Sequence, residues 1–238
     1  MSHSIREPET NRLLGILSAE DSAHLASFSR IEHPPQGRVL SGASDPGTDI
    51  WFPHTGAVAL ITTDAAGRSV QTGMVGREGC LGLESVFGSR RSALEAVVQI
   101  AGPMSVVPAA HLRTVLDSRP GVQVAISKFL FGLSAQSFQT IACNRLHSLR
   151  MRCCRWLLTL QDKAMSEYLP VTQENLAMLL GGGRPRVNLL LAELEEEGML
   201  RRHRGRIQIL ARDGLKRQSC ECYRLVRDRS ASLYANLA

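Results

Sequence analysis

The chain of 238 residues has little lysine and no long apolar run. Lysine occurs only at positions 128, 163 and 216, so arginine supplies almost all of the positive charge. No run reaches the roughly 18 apolar residues that a membrane span needs, and we expect no membrane partner. The first eight residues lack the apolar stretch of a signal peptide. The sequence therefore predicts a cytoplasmic protein whose six cysteines are reduced thiols.

The sequence also lacks the common catalytic signatures. It contains no glycine-rich phosphate loop ending in lysine, no nucleophile elbow and no histidine pair of a zinc hydrolase. Cys153 and Cys154 are adjacent on a predicted helix and point in different directions, which makes a poor chelate. Cys220 and Cys222 have no histidine near them in the sequence and are weak metal ligands by themselves. We therefore expect neither an enzyme nor a metal site.

The charge of the chain is unevenly distributed. The net charge is +6 at pH 7, but residues 1–140 sum to −1 and residues 141–238 sum to +7. A near-neutral first half followed by an arginine-rich second half is typical of a sensor or scaffold part joined to a polyanion-binding part. A soluble basic protein with solvated arginines is the alternative.

The first half predicts two short helices followed by strands. Residues 10–28 form the helix pair, with Ser18 as an N-cap. From about residue 30 to 107, short runs rich in Val, Ile and Thr alternate with turns, and Gly67 lies in a predicted hairpin loop. Six to eight such strands without long helices between them predict an antiparallel barrel or jelly roll. The strand candidates are 38–40, 49–52, 56–63, 68–75, 94–100 and 104–107.

A long helix is predicted after the strands. Residues 108–116 form a short helical segment, and Pro120 is well placed in the first turn of the next helix. Packing residues recur there at spacings of three and four, which indicates an amphipathic helix: Val122, Ile126, Phe129, Leu130, Leu133, Ser137, Thr140 and Ile141. This helix can pack on the barrel, on a second copy of itself, or on both. We favour both, which implies a homodimer, while burial only against its own chain is the alternative.

The segment 171–210 carries the most specific pattern. Thr172 is a suitable N-cap for a short helix, and the glycine run 181–183 breaks that helix and permits a tight turn. A second helix begins near Arg184, tolerates Pro185 in its first turn and ends at Gly198. A short helix, a glycine turn and a second helix predict a helix-turn-helix.

A basic hairpin is predicted directly after this unit, with runs 199–203 and 206–210 forming a wing. A helix-turn-helix places the first residues of its second helix against base edges, where Arg pairs with guanine and Asn with adenine. Wing arginines suit phosphates, which position the protein without reading sequence. The acidic positions 193 and 195–197 are expected on the solvated back of the second helix. The candidate DNA-binding residues are Thr172, Gln173, Arg184, Arg186, Asn188, Arg201, Arg202, Arg204 and Arg206. A helical hairpin with solvated arginines is the alternative.

This pattern, continued by Asp213-Gly214-Leu215 and Cys220-Glu221-Cys222-Tyr223, resembles the Crp/Fnr family of transcription regulators. The resemblance implies an α+β fold with an N-terminal antiparallel β-roll (jelly roll) of the cyclic-nucleotide-binding type. A long dimerisation helix and a C-terminal winged helix-turn-helix follow the roll in that family. Residues 1–118 would form the roll sensor domain, 119–145 the dimerisation helix, and 146–238 the DNA-binding domain with a C-terminal helix. The implied function is sequence-specific transcription regulation by a homodimer on double-stranded DNA, with RNA polymerase as a further partner.

Two positions depart from the family pattern. Pro185 stands where characterised members usually carry Glu after the first recognition arginine, and Leu189 stands where a second arginine is often present. The familiar operator sequence should therefore not be carried over, and Arg186 and Asn188 are candidates to read the bases in its place. The same departures motivate an alternative function, a nucleotide-sensing module that acts on a protein partner without specific DNA binding.

The sensor half resembles the cyclic-nucleotide-binding members less closely. Those members use a Gly-Glu pair for the ribose and Arg-Ser-Ala for the cyclic phosphate, whose single charge a bidentate Arg and a hydroxyl donor can match. Gly76 and Glu78 resemble the first element, Arg91 and Ser92 the second, and Ser137 falls near the base-facing hydroxyls of the family. The apolar stretch between these elements is unlike a tight phosphate cassette. No cofactor is certain: a cyclic nucleotide is one candidate effector, and another effector or a purely structural roll are the alternatives.

Overall fold

The structure is a computed structural model, which describes residues 11–42, 47–89 and 92–235. The N-terminal part of the described chain has seven strands: β1 (Arg30–Glu32), β2 (Val39–Ser41), β3 (Asp49–Pro53), β4 (Ala57–Thr63), β5 (Ser69–Val75), β6 (Glu95–Ile100) and β7 (Met104–Pro108). They form two antiparallel sheets with the orders β1-β7-β3 and β2-β6-β4-β5. Because large apolar side chains such as Ile50, Phe52 and Val58 are buried between the sheets, this unit is a β-roll with its own core.

The predicted hairpin is the connection between β4 and β5. Asp64 begins the loop, and its Oδ1 accepts hydrogen bonds from the backbone N–H groups of Ala66 (3.0 Å) and Arg68 (2.9 Å). Gly67 has a φ of 78°, which a residue with a side chain rarely adopts. The loop sequence thus determines where the chain reverses.

Four short helices cover the roll: α1 (Arg12–Gly15), α2 (Ala19–Ala26), α3 (Leu83–Val86) and α4 (Ala109–Ser118). The predicted cap Ser18 accepts a hydrogen bond from the N–H of Asp21 at 3.1 Å. Asn11 is fully buried, and its Nδ2 donates to the carbonyls of Pro53 and Gly79, each at 2.8 Å. This amide therefore fastens the start of α1 to the roll, because a buried amide left without partners would be costly.

The long helix α5 (Pro120–Leu146) begins at the predicted proline and packs one side on the roll. Phe129 is buried there, and a Cβ added at Gly79 would collide with its ring, so the helix approaches the roll backbone closely. The other side exposes apolar residues. Ile141, which we expected in the packing stripe, is 65% exposed, and Phe131 and Phe138 are 73% and 69% exposed.

The C-terminal part consists of α6 (Leu149–Ala164), β8 (Tyr168–Leu169), α7 (Gln173–Leu179), α8 (Arg184–Glu196), β9 (Leu200–His203), β10 (Arg206–Ile209), α9 (Arg212–Gln218) and α10 (Cys222–Ala235). The hairpin β9–β10 was predicted, but β8 was not. β8 pairs with β10 and completes a three-stranded antiparallel sheet in the order β8-β10-β9. The wing is therefore anchored at its base to the segment that leads into α7.

The C-terminal part docks on the outer face of the roll. Ala57, Ala59 and Met74 of the roll lie in one buried cluster with the side chains of α6, α7 and α8. The indole Nε1 of Trp156 donates to the Oε1 of Gln71 in β5 at 2.6 Å, and both residues are buried. The two parts thus share a continuous apolar seam with a hydrogen bond inside it.

The predicted α+β class with antiparallel sheets is confirmed. None of the helices in the described part of the chain is both long enough and apolar enough to span a lipid bilayer.

Candidate nucleic-acid interface

The turn between α7 and α8 forms as the glycine run predicts. Thr172 caps α7, its Oγ1 accepting from the N–H of Asn175 at 3.1 Å. Gly181 then takes a φ of 60°, and the N–H of Gly182 donates to the carbonyl of Ala177 at 3.0 Å. A Cβ at Gly182 would lie only 3.2 Å from a Leu149 methyl carbon, so the turn is packed against α6. These contacts fix the angle at which α8 leaves the turn.

One side of α8 is buried, and the other side faces solvent. The buried residues are Val187, Leu190, Leu191 and Leu194. Arg184, Arg186 and Asn188 are exposed in the first two turns, as predicted. At about 100° of helix rotation per residue, Arg184 and Asn188 lie within about 40° of each other, whereas Arg186 is about 160° from Asn188. Arg184 and Asn188 therefore share one flank, and Arg186 occupies the other.

The middle of the exposed face is apolar. Pro185 and Leu189 lie between the two flanks, and Leu189 is 64% exposed. An exposed leucine by itself is unremarkable, but this one stands at the centre of the helix face that also carries Arg184 and Asn188.

Arg184 forms an ion pair with Glu174 of α7, and both side chains are 64% exposed. Exposed pairs contribute little to stability, so a phosphate or base edge can replace the carboxylate at small cost. Within residues 11–42, 47–89 and 92–235, Arg186 has no ion-pair partner. The start of α8 therefore presents guanidinium groups that are available to an anionic ligand.

The wing carries its arginines at the edges and tip. Gly205, with a φ of 77°, forms the turn between β9 and β10, and Arg204 is exposed beside it. Arg201 is exposed on β9, and the guanidinium carbon of Arg206 lies 5.0 Å from the ring centroid of Tyr168, a cation–π contact. The tip arginine is thus exposed at the end of the wing.

Arg202 differs from the other wing arginines because it is tied to α8. Its backbone N–H donates to Glu195 Oε1 at 2.8 Å and its Nε donates to Oε2 at 2.6 Å. Both bonds lower the pKa of the Glu195 carboxyl, and the bond from the Arg202 backbone has the larger effect. The arginine braces the wing against the second helix.

Three of the four residues in the acidic run are exposed, as expected, but three of the four also form ion pairs. Besides Glu195, Glu193 and Glu197 form ion pairs with Arg150 of α6, at 3.3 Å and 2.6 Å. The sequence could not show this because Arg150 lies more than forty residues away. These carboxylates join α8 to α6 and to the wing about two turns further along the helix than the exposed arginines.

The candidate effector residues are held by different partners. The carboxylate of Glu78 accepts from the N–H of Gly76 at 3.0 Å and forms an ion pair with Lys163 of α6. Burial alone would raise the pKa of Glu78, but the Lys163 ammonium and the backbone donors outweigh it and lower the pKa. Ser92 donates to Glu84 at 2.9 Å, and Ser137 is half-buried on α5. Arg91 lies outside the described residues.

The sequence analysis missed a cluster of cysteine and histidine side chains. Cys143, His147, Cys220 and Cys222 bring their ligand atoms within 4.8 Å of one another. The expectation that Cys220 and Cys222 have no histidine nearby was therefore wrong, because α10 packs against the end of α5. The available signal was the spacing of four between Cys143 and His147, which places them on one helix face.

Comparison with known proteins agrees with this geometry. The sequence of residues 151–218 matches the Crp-like helix-turn-helix domain family. No curated protein matches the chain. A Crp/Fnr-family transcriptional regulator from Eubacterium rectale is 17% identical, with a TM-score of 0.69 over 87% of this chain and 96% of that chain.

Two further solved structures are similar. The c-di-GMP responsive global regulator CLP from Xanthomonas campestris is 17% identical, with a TM-score of 0.67 over 81% of this chain and 99% of that chain. A CRP/FNR-family transcriptional regulator from Thermus thermophilus is 23% identical, with a TM-score of 0.66 over 80% of this chain and 98% of that chain.

The solved structures that share this β-roll, long helix and C-terminal helix-turn-helix are described as transcription regulators. This chain has a Crp-like helix-turn-helix domain and, over most of its length, the fold of Crp/Fnr regulators. The predicted resemblance is confirmed for the helix-turn-helix domain and for the fold.

Proposed function

We propose that the chain acts as a homodimer that binds a sequence-specific, two-fold symmetric DNA site. Residues 1–118 sense, 119–145 dimerise and 146–238 bind DNA, and because its target is the genome we place the protein in the cytoplasm. The observation that carries this proposal is the joint exposure of Arg184 and Asn188 on one flank of α8, next to a wing with Arg204 at its tip.

In this proposal, α8 enters the major groove. Arg184 exchanges its Glu174 partner for a guanine edge, and Asn188 reads an adenine on the same flank. Arg186, on the opposite flank, contacts either a base or the far phosphate strand. Thr172, Gln173 and the wing residues Arg201, Arg204 and Arg206 contact phosphates, while Arg202 keeps the wing in position.

Leu189 supplies a further element of specificity. It lies at the centre of the face that enters the groove, where a charged side chain would meet a base edge. An apolar side chain there suits the methyl group of thymine. We therefore expect a thymine preference at one position of each half-site, lost in Leu189→Ala.

The long helix supports the dimer. Val124, Phe131 and Phe138 are exposed apolar residues at intervals of seven, the repeat of a helix seam in a coiled coil. Joining two copies along this seam would place two copies of α8 on one side of the dimer. Their spacing must match one turn of DNA, about 34 Å, for both to enter successive major grooves.

The roll offers a cleft for an effector. A cleft of about 400 Å³ lies between the roll and α5. Of the described residues, mainly apolar side chains line it, among them Leu60, Leu81 and Leu133, with Glu84 as a carboxylate. The described part of this lining suits a ligand with an apolar body. The Xanthomonas relative responds to c-di-GMP, so a cyclic dinucleotide is a second candidate.

Selection from random-sequence DNA with the full-length chain tests the regulator. We expect enrichment of a two-fold symmetric site. Arg184→Ala should cost about 1–3 kcal/mol and relax one position of the site. Arg204→Ala should weaken all sequences about equally and flatten the salt dependence. Arg68→Ala, in the exposed β4–β5 hairpin, is the matched control and should change neither.

Two results would contradict the assignment. Failure to enrich any symmetric site would favour a module that acts on a protein partner. Equal behaviour of Arg184→Ala and Arg204→Ala would contradict the division between base reading and phosphate contact. Calorimetry with cyclic AMP, cyclic GMP and c-di-GMP, followed by DNA titration in the presence of each, tests the effector separately. A cyclic mononucleotide that binds and raises DNA affinity would refute the apolar-effector proposal.

A further inference from the structure

A cluster of metal-ligand side chains lies away from the DNA-binding surface, where the end of α5 meets the start of α10. Cys143 lies in the last turns of α5, and His147 follows its last residue. Cys220 and Cys222 lie just before and at the start of α10. The three cysteines are at most 2% exposed, and the side chain of His147 is 14% exposed. The cluster is thus assembled from positions almost eighty residues apart.

The distances within the cluster are those of a preformed four-ligand site. The Sγ atoms of Cys143 and Cys220 are 3.5 Å apart, and Cys222 Sγ is 3.6 Å from His147 Nδ1. In a tetrahedral zinc site with Zn–S bonds of about 2.3 Å, neighbouring sulfurs lie roughly 3.8 Å apart. All four ligand atoms lie within 4.8 Å of one another, so small side-chain adjustments suffice to enclose one ion.

The residues around the cluster orient its ligands. The Nε2 of His147 lies 3.3 Å from a carboxylate oxygen of Glu221, which leaves Nδ1 facing the cysteines. Such a carboxylate–histidine pair is the usual outer shell of a zinc-bound imidazole. The amide Nε2 of Gln139 donates to Cys222 Sγ at 3.1 Å, as an outer-shell donor to a thiolate would. The guanidinium of Arg155 acts electrostatically on Cys143, so one positive charge is available beside the thiolates.

We propose that Cys143, His147, Cys220 and Cys222 form a structural Cys₃His site for one Zn²⁺. Three sulfur ligands and one imidazole select a soft, tetrahedral divalent ion, and the four protein ligands leave no open position for catalysis. Zn²⁺ binds the thiolates, so the cysteine protons are released to solvent on binding. The bound ion then links α5 and α10 through metal–ligand bonds in addition to their packing contacts.

The site has a consequence for the arrangement of the domain. α9, the last helix of the family-matched segment 151–218, leads directly to Cys220 and then into α10. α10 in turn packs along α5. A zinc ion at their junction therefore fastens the far end of the DNA-binding domain to the long helix.

The test uses the full-length chain, purified under reducing conditions, stripped of metal and titrated with Co²⁺ and Zn²⁺. We expect one equivalent of Co²⁺ to bind with the intense visible bands of tetrahedral cobalt and a sulfur-to-cobalt charge-transfer band, and one equivalent of Zn²⁺ to displace it. Cys222→Ser leaves only two thiolates, so it should weaken both the charge-transfer band and metal binding. Cys80→Ser, at a buried cysteine of the roll, is the matched control and should keep both spectrum and stoichiometry.

A surface variant keeps the test independent of folding. Glu221 is 58% exposed, and Glu221→Gln removes the negative charge beside His147 Nε2, so we expect folded protein whose Zn²⁺ affinity falls about 10- to 100-fold. Three outcomes would overturn the proposal. They are less than half an equivalent of tightly bound metal in reduced protein, the same loss in Cys80→Ser as in Cys222→Ser, and unchanged affinity in Glu221→Gln.

Discussion

Substitution of Phe138 by alanine should weaken the dimer measurably. Its ring is 69% exposed in the single chain, and burying a phenylalanine completely is worth about 1.5–3 kcal/mol. Covering the exposed part in a dimer is therefore worth about 1–2 kcal/mol in each protomer. The variant removes two rings from each dimer, about 2–4 kcal/mol, which raises the dimer dissociation constant roughly 30- to 700-fold.

Sedimentation equilibrium over a range of protein concentrations measures this constant directly. Phe87→Ala is the control, because Phe87 is similarly exposed, at 65%, but lies beside α3 on the roll. We expect the control to dimerise like the unaltered protein. An unchanged dissociation constant in Phe138→Ala, or an equal increase in both variants, would refute a dimer seam along α5. The DNA affinity of Phe138→Ala should fall at protein concentrations below its new dissociation constant.

Two further predictions concern the contacts of the roll with its neighbours. Gly79→Ala forces a methyl group against Phe129 and should destabilise the chain by about 1–3 kcal/mol in urea unfolding, whereas Gly15→Ala, which meets no atom within 4 Å, should not. Because the pKa of Glu78 is lower in the folded chain, its pairing with Lys163 contributes stability above the ordinary carboxyl pKa, and this is lost as pH falls through the lowered value. The thermal-stability gap between the unaltered protein and Glu78→Gln should therefore be full near pH 7 and shrink below about pH 4; a gap that is constant with pH would contradict the ion pair.

The sequence predicted the features that depend on neighbouring residues. The cap at Thr172, the glycine turn and the spacing of three and four along α8 are local signals, so the helix-turn-helix and its exposed arginines could be placed from them. The hairpins at Gly67 and Gly205 were predicted for the same reason, because each turn requires a positive φ that glycine supplies without strain.

Features that depend on distant pairing were missed. β8 has only two residues, and the sequence around Tyr168 and Leu169 gives no signal that they pair with Gln208 and Ile207. The sequence likewise contains Cys143 and His147 as one spaced pair and Cys220 and Cys222 as another, but only the packing of α10 on α5 brings the pairs together.

The apolar seam between the roll and the C-terminal part makes the stability of each half depend on the other. A fragment that begins at α6 would expose to water the side chains that pack on Ala57 and Met74. The roll alone would expose Ala57 and Met74 themselves. We therefore expect each half to be less stable when it is expressed alone. Separating the halves would expose both faces of this seam to water at once, so a relative movement costs least when the two faces stay in contact.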